Sequence, residues 1–419
     1  MDVGIARERL AGERRVAATP ESVRQLVGLG LGVRVEAGAG AAAGHADADY
    51  LAAGARIVEA LDYAAVDVLA HVRPLDPATA ARLKPGAITV GLASPSTELP
   101  TVRALAETHV GAFALELVPR ISRAQSMDAL TSQALVTGYR CVLEAAIRFP
   151  RFFPLYMTAA GTVPPARVLV LGAGVAGLQA IGTAKRLGAR VSANDIRPAS
   201  ADEVASMGGT FIRLDLDSPE ATAASGGYAR ELTADRGALQ RELLAPHVAE
   251  ADVLITTAAV PGRRAPMLVT REMVAAMRPG SVVVDMAAES GGNVEGSVAG
   301  EDVEVPTADG AGHITLVGLK DAASAMASDA SRLYAKNVAN FIALMVAEGQ
   351  VVPDFGDEVV AGACLTYDGD VRHEPTAQAL AALASATPGV EGFGGPGVGV
   401  PGAGVSGRRV EDDVEGGAG

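Results

Sequence analysis

A glycine-rich turn between an apolar run and a helical pattern restricts the possible folds of this chain more than any other stretch. Residues 167–195 read RVLVLGAGVAGLQAIGTAKRLGARVSAND, with the turn Gly172-Ala-Gly174-Val-Ala-Gly177 and a second apolar run that ends on Asp195. This order predicts strand, turn, helix, strand and acid, which is the fingerprint of a dinucleotide-binding βαβ unit.

Each glycine of the turn has its own physical reason. Gly172 allows the tight turn, Gly174 lets the backbone approach a pyrophosphate, and Gly177 lets the helix pack closely on the strand. The N-terminus of the following helix then offers N–H groups with partial positive charge, which favour bound phosphate. The sequence therefore predicts a dinucleotide site here.

The acid at the end of the second run bears on which dinucleotide binds. Asp195 can accept hydrogen bonds from the adenosine ribose 2′-OH and repels a 2′-phosphate, which favours NAD(H) over NADP(H). Arg197 weakens this preference, since it either serves a 2′-phosphate or pairs with solvent or Asp202. The rival interpretation of residues 168–184 as a membrane span is rejected, because the stretch is short and carries four glycines.

Composition bounds the class of protein. The 419 residues are 49% hydrophobic but only 4% aromatic and lack Trp, so the cores must be built from Ala, Val, Leu and Ile, as in α/β layers. The net charge of −14 argues against nucleic acid as a partner. Cys141 and Cys364 have no metal-ligand spacing and are expected to be buried thiols. With no signal-peptide pattern at the start, a soluble cytoplasmic chain is expected.

The hydrophobic pattern predicts two Rossmann-like, doubly wound α/β domains with a cleft between them. The first domain covers residues 1–131 and is completed by about 311–374, where a helical pattern at 316–347 crosses back. The second covers residues 132–310. The Gly- and Pro-rich residues 375–419 predict a disordered tail. Predicted strands lie at 3–6, 33–36, 66–72, 88–92, 113–118, 210–214, 253–257 and 282–286, and predicted helices at 20–29, 77–83 and 134–147.

Three polar segments are candidate regions of a site in the cleft. The first, RERLAGERRVAATPE, follows the first strand, where open α/β sheets carry ligands, although a solvated loop also explains Arg14 and Arg15. The second is the loop at residues 118–133. The third, residues 215–240, contains a double glycine beside Tyr228 and predicts a mobile loop or lid.

These stretches together resemble the superfamily of alanine dehydrogenase and, within it, the soluble NAD(H)-binding α subunit of proton-translocating NAD(P) transhydrogenases. The resemblance runs over about residues 1–375. The motifs that carry it, in order, are RERLAGERRVAATPE, PRISRAQSMDALTSQALVTGYR, VLVLGAGVAGLQAIGTAKRLGARVSANDIRP, GGYA, ITTAAVPGRRAP and VVVDMAAESGGNVEGS.

The resemblance implies a role for each matching residue. Arg120, Gln125 and Asp128 would bracket the nicotinamide and act as the catalytic set, with Ile121 and Ser122 beside them. Thr131 stands where the family usually has serine, so a hydroxyl is retained. The remaining implied contacts are, for the pyrophosphate, Gly172, Gly174, Val175, Ala176 and Gly177; for the ribose, Asp195, Ile196 and Arg197; for the mobile loop, Gly227 and Tyr228; and, for two further positions, Gln240 and Ala259.

The resemblance also implies the reaction and the partners. NADH bound to this chain would pass a hydride to NADP⁺ on another subunit, a carbon-to-carbon step that requires apposed rings but no general acid or base. The six histidines are accordingly scattered. A membrane-embedded proton-channel subunit, an NADP(H)-binding subunit and a second copy of this chain would be the partners, placing the chain at the cytoplasmic membrane. No metal is implied.

Two alternative functions remain open. An alanine dehydrogenase must move protons and anchor a carboxylate, so it needs a general acid/base and a cation. That family places a histidine after the strand at 88–92, a lysine near Arg73 and an aspartate near Glu289; here no histidine follows the strand, and Arg73 and Glu289 occupy the other two positions. A non-catalytic NAD-binding protein is the second alternative, because half of the active site would lie on another chain.

Overall fold

The computed structural model describes residues 1–214, 234–259 and 262–386; Gly227 and Tyr228 lie outside these ranges. The strands are β1 (Asp2–Ile5), β2 (Gly32–Glu36), β3 (Arg56–Val58), β4 (Val68–Ala70), β5 (Ile88–Gly91), β6 (Gly111–Ala114), β7 (Tyr156–Thr158), β8 (Gly161–Val163), β9 (Arg167–Leu171), β10 (Arg190–Asn194), β11 (Thr210–Phe211), β12 (Val253–Thr256), β13 (Val282–Asp285), β14 (Asp302–Pro306), β15 (His313–Gly318), β16 (Val346–Ala347), β17 (Gln350–Val351), β18 (Cys364–Tyr367) and β19 (Asp370–Val371). The helices are α1 (Pro20–Gly28), α2 (Asp47–Ala52), α3 (Pro77–Ala80), α4 (Leu99–Glu107), α5 (Ala129–Arg148), α6 (Val175–Arg186), α7 (Ser200–Ser206), α8 (Ala234–Glu250), α9 (Arg271–Ala275), α10 (Ala327–Leu344), α11 (Glu358–Ala363) and α12 (Glu374–Ala386).

Two large sheets organise the described residues and confirm the predicted pair of α/β domains. The first has the strand order β19-β18-β6-β5-β4-β1-β2-β3, and the second has the order β11-β10-β9-β12-β13-β15-β14. Both sheets are parallel except at one edge, where β18, β19 and β14 run antiparallel to their neighbours. Within the described part of the chain, no helix is both long and apolar enough to cross a membrane.

The strand orders place a crevice in each sheet. In the first sheet β1 lies between β2 and β4, and in the second sheet β9 lies between β10 and β12. Successive connections leave β1 and β9 in opposite directions along the sheet, so each strand is a topological switch point. The charged loop after β1 and the glycine turn after β9 therefore occupy the two places where open α/β sheets bind ligands.

Helix α5 connects the two domains. Its first residue, Ala129, packs in the core of the first domain, whereas Cys141, Val142 and Ala145 belong to the core of the second. Midway along the helix, a Cβ on Gly138 would lie 2.2 Å from the carbonyl oxygen of Ala176, in the first turn of α6. Only glycine permits this close approach of the two helices.

The last third of the chain returns to the first domain through α10. Tyr334, Val338 and Phe341 of this helix are fully or almost fully buried among the strands of the first sheet. Residues 316–318, predicted to begin the helical pattern, instead continue β15, because HITLVG pairs with β13 and β14. The second crossing consequently begins after Gly318 and not near residue 311.

The predicted start of the disordered tail at residue 375 is wrong, because residues 375–386 belong to α12. Leu380 of this helix packs against the apolar cluster formed by Leu105, Val110 and Leu365. An Ala-rich run can bury one apolar face against existing structure without forming a core of its own. Residues 387–419 lie outside the described residues.

Replacing Gly138 tests the contact between α5 and α6. We expect Gly138→Ala to lower the free energy of unfolding by about 1–3 kcal/mol, because the added methyl group meets backbone that cannot move cheaply. Gly237→Ala in α8 is the matched control, since its Cβ comes no closer than 3.6 Å to a flexible Arg241 side chain; it should change stability by less than about 1 kcal/mol. Equal effects of the two substitutions in urea titrations would contradict the contact.

Candidate nucleotide-binding site

The glycine turn after β9 separates the chain's own packing needs from those of a ligand. Gly172 has φ +101°, and a Cβ there would lie 2.6 Å from Thr257 Oγ1. A Cβ on Gly177 would lie 1.9 Å from the carbonyl oxygen of Gly172. These two glycines are required by the fold itself. A Cβ on the exposed Gly174 would meet nothing within 4 Å, so the open space beside Gly174 is available to a pyrophosphate that approaches the start of α6.

Asp195 joins the end of β10 to this turn. One carboxylate oxygen accepts a hydrogen bond from the backbone N–H of Ala173 at 2.7 Å, and the other accepts from the N–H of Arg197 at 2.8 Å. The Arg197 guanidinium also contacts the carboxylate at 3.1 Å and the carbonyl oxygen of Ala173 at 3.1 Å. Asp195 thus orders the turn, and Arg197, for which the sequence allowed several partners, pairs with Asp195. Ile196 between them is half-buried.

Parallel pairing brings the predicted contacts of the second domain to one edge. Leu171, Asn194 and Thr256 are in register at the ends of β9, β10 and β12. The residues that follow these strands, including the turn at residues 172–177, Asp195 and the exposed Ala259, therefore emerge on the same side of the sheet. Gln240, by contrast, is 5% exposed within α8.

The loop predicted to hold the nicotinamide forms a short 3₁₀ helix, Ser122–Met127, directly before α5. Asp128 is the N-cap of α5 and accepts hydrogen bonds from the N–H of Thr131 at 2.8 Å and from its hydroxyl at 2.6 Å. This shows what the threonine hydroxyl does in the chain itself: it fixes the Asp128 carboxylate. Arg120, Ser122 and Gln125 are exposed, and Ile121 is half-buried.

Helix α5 sets the separation between this loop and the glycine turn. Asp128 starts the helix, and Gly138, ten residues later in the numbering, contacts the first turn of α6. At about 1.5 Å per residue the two regions of the site are about 15 Å apart along the helix. Only an extended ligand reaches both. Among the residues that the structure describes, no group of three His, Cys, Asp or Glu side chains is placed to hold a metal ion.

A buried ion network that sequence reasoning did not foresee lies at the switch point of the first sheet. The Glu13 carboxylate accepts hydrogen bonds from Arg15 and from Arg73, each at 2.6 Å. Arg15 also donates to the side-chain oxygen of Gln133 on α5 at 2.9 Å. Burial opposes ionisation of Glu13, but its hydrogen bonds with Arg15 and the charges of both arginines outweigh burial and lower its pKa to about 2. The network therefore holds a permanently ionised carboxylate between two cations.

Asp321 extends this network across the crossing between the domains. The Arg73 guanidinium forms an ion pair with the Asp321 carboxylate, and the Asp321 N–H donates to the Glu289 carboxylate at 3.2 Å. Asp321 has φ +49°. Sequence reasoning singled out Arg73 and Glu289 separately but missed Asp321, because no local pattern marks a residue whose two partners come from different domains.

Glu8, in the loop after β1, is a second acid that the sequence did not single out. Its carboxylate accepts from the backbone N–H groups of Val72 at 2.6 Å and Arg73 at 3.4 Å, which follow β4. Burial raises the pKa of Glu8 to about 7, and the negative charge of Glu13 adds to the shift. Glu8 is therefore a carboxyl group that changes charge near neutral pH.

The Glu8 shift predicts a specific pH dependence of stability. Because the pKa lies near 4.5 in the unfolded chain and near 7 in the folded chain, the folded chain binds more protons between these values, and stability falls as pH rises through that window. Glu8→Gln keeps an oxygen acceptor for Val72 but does not titrate. We expect the melting temperature of the variant relative to the native chain to be higher at pH 8 than at pH 5. A pH-independent difference would show that Glu8 titrates normally.

Asp195→Ala tests the ribose assignment. We expect NADH binding to weaken by about 1–3 kcal/mol, since the substitution removes an acceptor for the ribose and frees the Ala173 N–H of the turn. NADPH should lose less affinity, or gain some, because the repelling carboxylate is gone and Arg197 is released. Calorimetric titration of both nucleotides measures the two changes. Unaltered NADH affinity would place the ribose elsewhere.

Comparison with known proteins agrees with this geometry. The N-terminal domain of the family described as alanine dehydrogenase/PNT matches residues 4–137, and the C-terminal domain matches residues 141–374. An NAD(P) transhydrogenase subunit alpha protein of Rhodospirillum rubrum is 45% identical over 384 residues, which cover 89% of this chain and 98% of that protein. An alanine dehydrogenase of Mycobacterium tuberculosis is 34% identical over 303 residues, covering 71% of this chain and 75% of that protein.

A solved structure has the same two-domain architecture. The transhydrogenase from Sinorhizobium meliloti superposes with a TM-score of 0.77 at 43% identity, covering 90% of this chain and 100% of that chain. The two family matches together cover most of the chain and include both crevices and the connecting helix. The chain therefore belongs to the alanine dehydrogenase/PNT family.

Proposed function

We propose that this chain is the NAD(H)-binding subunit of a proton-translocating transhydrogenase and passes a hydride from NADH to NADP⁺ held on a partner subunit. The observation that carries the proposal is the 45% identity that extends over 98% of a relative named as an NAD(P) transhydrogenase α subunit protein. A subunit of this kind needs one NAD(H) site and an accessible nicotinamide pocket, with NADP(H) and the proton pathway on other chains.

The fit of the site to NAD(H) supports the proposed nucleotide. Gly174 leaves open space at the start of α6, and Asp195 presents a carboxylate at the end of β10. A carboxylate there favours a ribose 2′-OH over a 2′-phosphate. Its pairing with Arg197 removes one cation that a 2′-phosphate would need.

Positioning is the chemistry that the chain's own residues would supply. Bound NADH provides the hydride, and a direct transfer between carbons needs no proton from the protein. Asp128 is held by Thr131 at the start of α5, while Arg120 and Gln125 lie exposed on the adjacent loop. In this proposal the three residues orient the nicotinamide, whose open face meets the partner's ring.

The ion network disfavours alanine dehydrogenase, the second candidate, which a relative at 34% identity keeps in view. That reaction needs a cation free to anchor a substrate carboxylate and an acid/base group. Here Arg15 and Arg73 share the internal carboxylate of Glu13, and Arg73 also binds Asp321. Glu289 is engaged by the N–H of Asp321. A non-catalytic NAD-binding role is the third candidate, and the same assay separates it.

A homodimer and attachment to a membrane-embedded proton-channel subunit complete the proposal. Strands β7 and β8 form a hairpin that pairs with neither large sheet within the described residues. It presents exposed Tyr156 and Met157, the latter 76% exposed, next to exposed Phe152 and Leu155. An isolated hairpin is marginally stable in water, so a second copy of the chain covering this apolar surface would stabilise it. The chain would then reside at the cytoplasmic face of the membrane through its partners.

A rate assay with and without partner tests the function. We expect the chain alone to bind NADH but to catalyse neither hydride transfer to NADP⁺ nor alanine-dependent reduction of NAD⁺, and to gain transfer when an NADP(H)-binding transhydrogenase subunit is added. Arg120→Ala and Asp128→Asn should slow transfer by about 100-fold while weakening NADH binding much less, since misplacement by about 1 Å is expensive. Asp128→Asn keeps an oxygen to cap α5.

Alternative outcomes of this assay point to the other candidates. Robust NADH production from alanine by the chain alone would identify a dehydrogenase. Tight NADH binding with no transfer to NADP⁺ under any partner condition would favour a non-catalytic NAD-binding protein.

A further inference from the structure

One buried amide on α10 contacts the chain on both sides of the segment that carries Asp128 and Thr131. Asn337 is 6% exposed. Its Nδ2 donates to the carbonyl oxygen of Ser126 at 2.9 Å, and its Oδ1 accepts from the Ser132 hydroxyl at 2.7 Å. Since a carbonyl can only accept, the amide orientation is fixed by its partners.

The two contacts bracket the nicotinamide loop at its junction with α5. Ser126 is in the last turn of the 3₁₀ helix Ser122–Met127, and Ser132 is in the first turn of α5. Asp128 lies between them and its carboxylate is tied to Thr131. Any shift of this junction would therefore stretch one of the two Asn337 hydrogen bonds.

The support behind Asn337 is rigid. Its neighbours Tyr334, Val338 and Phe341 on α10 are at most 1% exposed in the core of the first domain. Asn340, almost one turn further along, also donates to Ser126 O at 3.2 Å, but it is partly exposed and its side-chain oxygen accepts from Gln25. Asn337 alone of these two amides reaches both sides of the junction.

The other end of the same loop is anchored to α11. The Arg123 guanidinium donates two hydrogen bonds of 2.8 Å to the carboxylate of Asp357, the N-cap of that helix. Such a two-pronged pair has a strongly preferred geometry. The exposed face of the loop, with Arg120 and Gln125, is thus set by residues more than 200 positions away in the sequence.

We propose that Asn337 is a positioning residue for hydride transfer: it places Asp128 and the adjacent loop through their backbone, without touching the nucleotide. This inference rests on the proposed function of the loop as the nicotinamide pocket. It accounts for a buried polar side chain that packs among apolar residues and satisfies both of its groups on one functional segment.

The first test compares rate and affinity in the complex of the full chain with an NADP(H)-binding transhydrogenase subunit. Asn337→Ala removes both hydrogen bonds, and Asn337→Asp keeps the acceptor for Ser132 but loses the donor to Ser126. We expect kcat to fall about 10- to 100-fold, with NADH affinity changed less than about threefold. Ser132→Ala, which removes one of the two contacts and leaves α10 intact, should give a smaller loss. Arg332→Ala is the control on α10, because that side chain is 67% exposed, and it should leave kcat unchanged.

A double-mutant cycle separates positioning from general damage. If Asn337 acts through Asp128, Asn337→Ala should slow an Asp128→Asn background only slightly, instead of adding its full effect. Backbone hydrogen exchange of residues 121–128 should be faster in Asn337→Ala than in the native chain and unchanged in Arg332→Ala. Parallel losses of melting temperature, NADH affinity and rate, or full additivity in the cycle, would overturn the proposal.

Hydrogen exchange also distinguishes failure of this inference from failure of the proposed function. If the native chain with partner transfers no hydride, the proposed function is wrong. If exchange at residues 121–128 is the same in the native chain and in Asn337→Ala, Asn337 does not hold the loop, whatever the activity.

Discussion

Gly138 on α5 meets the backbone of Ala176 at the start of α6, and this contact governs the geometry of the whole site. A methyl group at Gly138 would lie 2.2 Å from a carbonyl oxygen, so the two helices meet without an intervening side chain. Helix α5 also begins at Asp128, in the loop of the first domain. One helix therefore fixes the distance between the candidate nicotinamide pocket and the glycine turn, and the two domains must keep that distance together.

The ion network at the cleft supports the same geometry by a different means. Glu13 lies between Arg15 and Arg73, Arg15 reaches Gln133 on α5, and Arg73 reaches Asp321 at the second crossing. Because these charges are withdrawn from water, each depends on its partner, and removal of one leaves another uncompensated. The same pairing leaves no spare cation in this group for a substrate carboxylate, which is consistent with chemistry that needs positioned rings and no proton transfer.

Several polar residues hold the groups that are proposed to touch the nucleotide. Asn337 brackets the loop, Arg123 anchors it to α11, and Thr131 fixes the Asp128 carboxylate. Asp195 likewise binds the Ala173 N–H of the glycine turn while presenting its carboxylate at the edge of the sheet. In each case a hydrogen bond inside the protein fixes the place of a group proposed to act on the ligand, which reduces the reorganisation that binding must induce.

The two α/β domains, the glycine turn with its helix and acid, and the loop before α5 could all be predicted from the amino-acid sequence, because they depend on local hydrophobic periodicity and on the conformations that glycine permits. Three features could not: the continuation of the second sheet by β15, the helix at residues 375–386, and the contacts of both Arg73 and Glu289 with Asp321. Nor did any local pattern mark Asn337 as the support of the loop. These features arise only in the folded chain, since strand pairing, packing of an Ala-rich face and convergence of charges depend on residues far apart in the sequence.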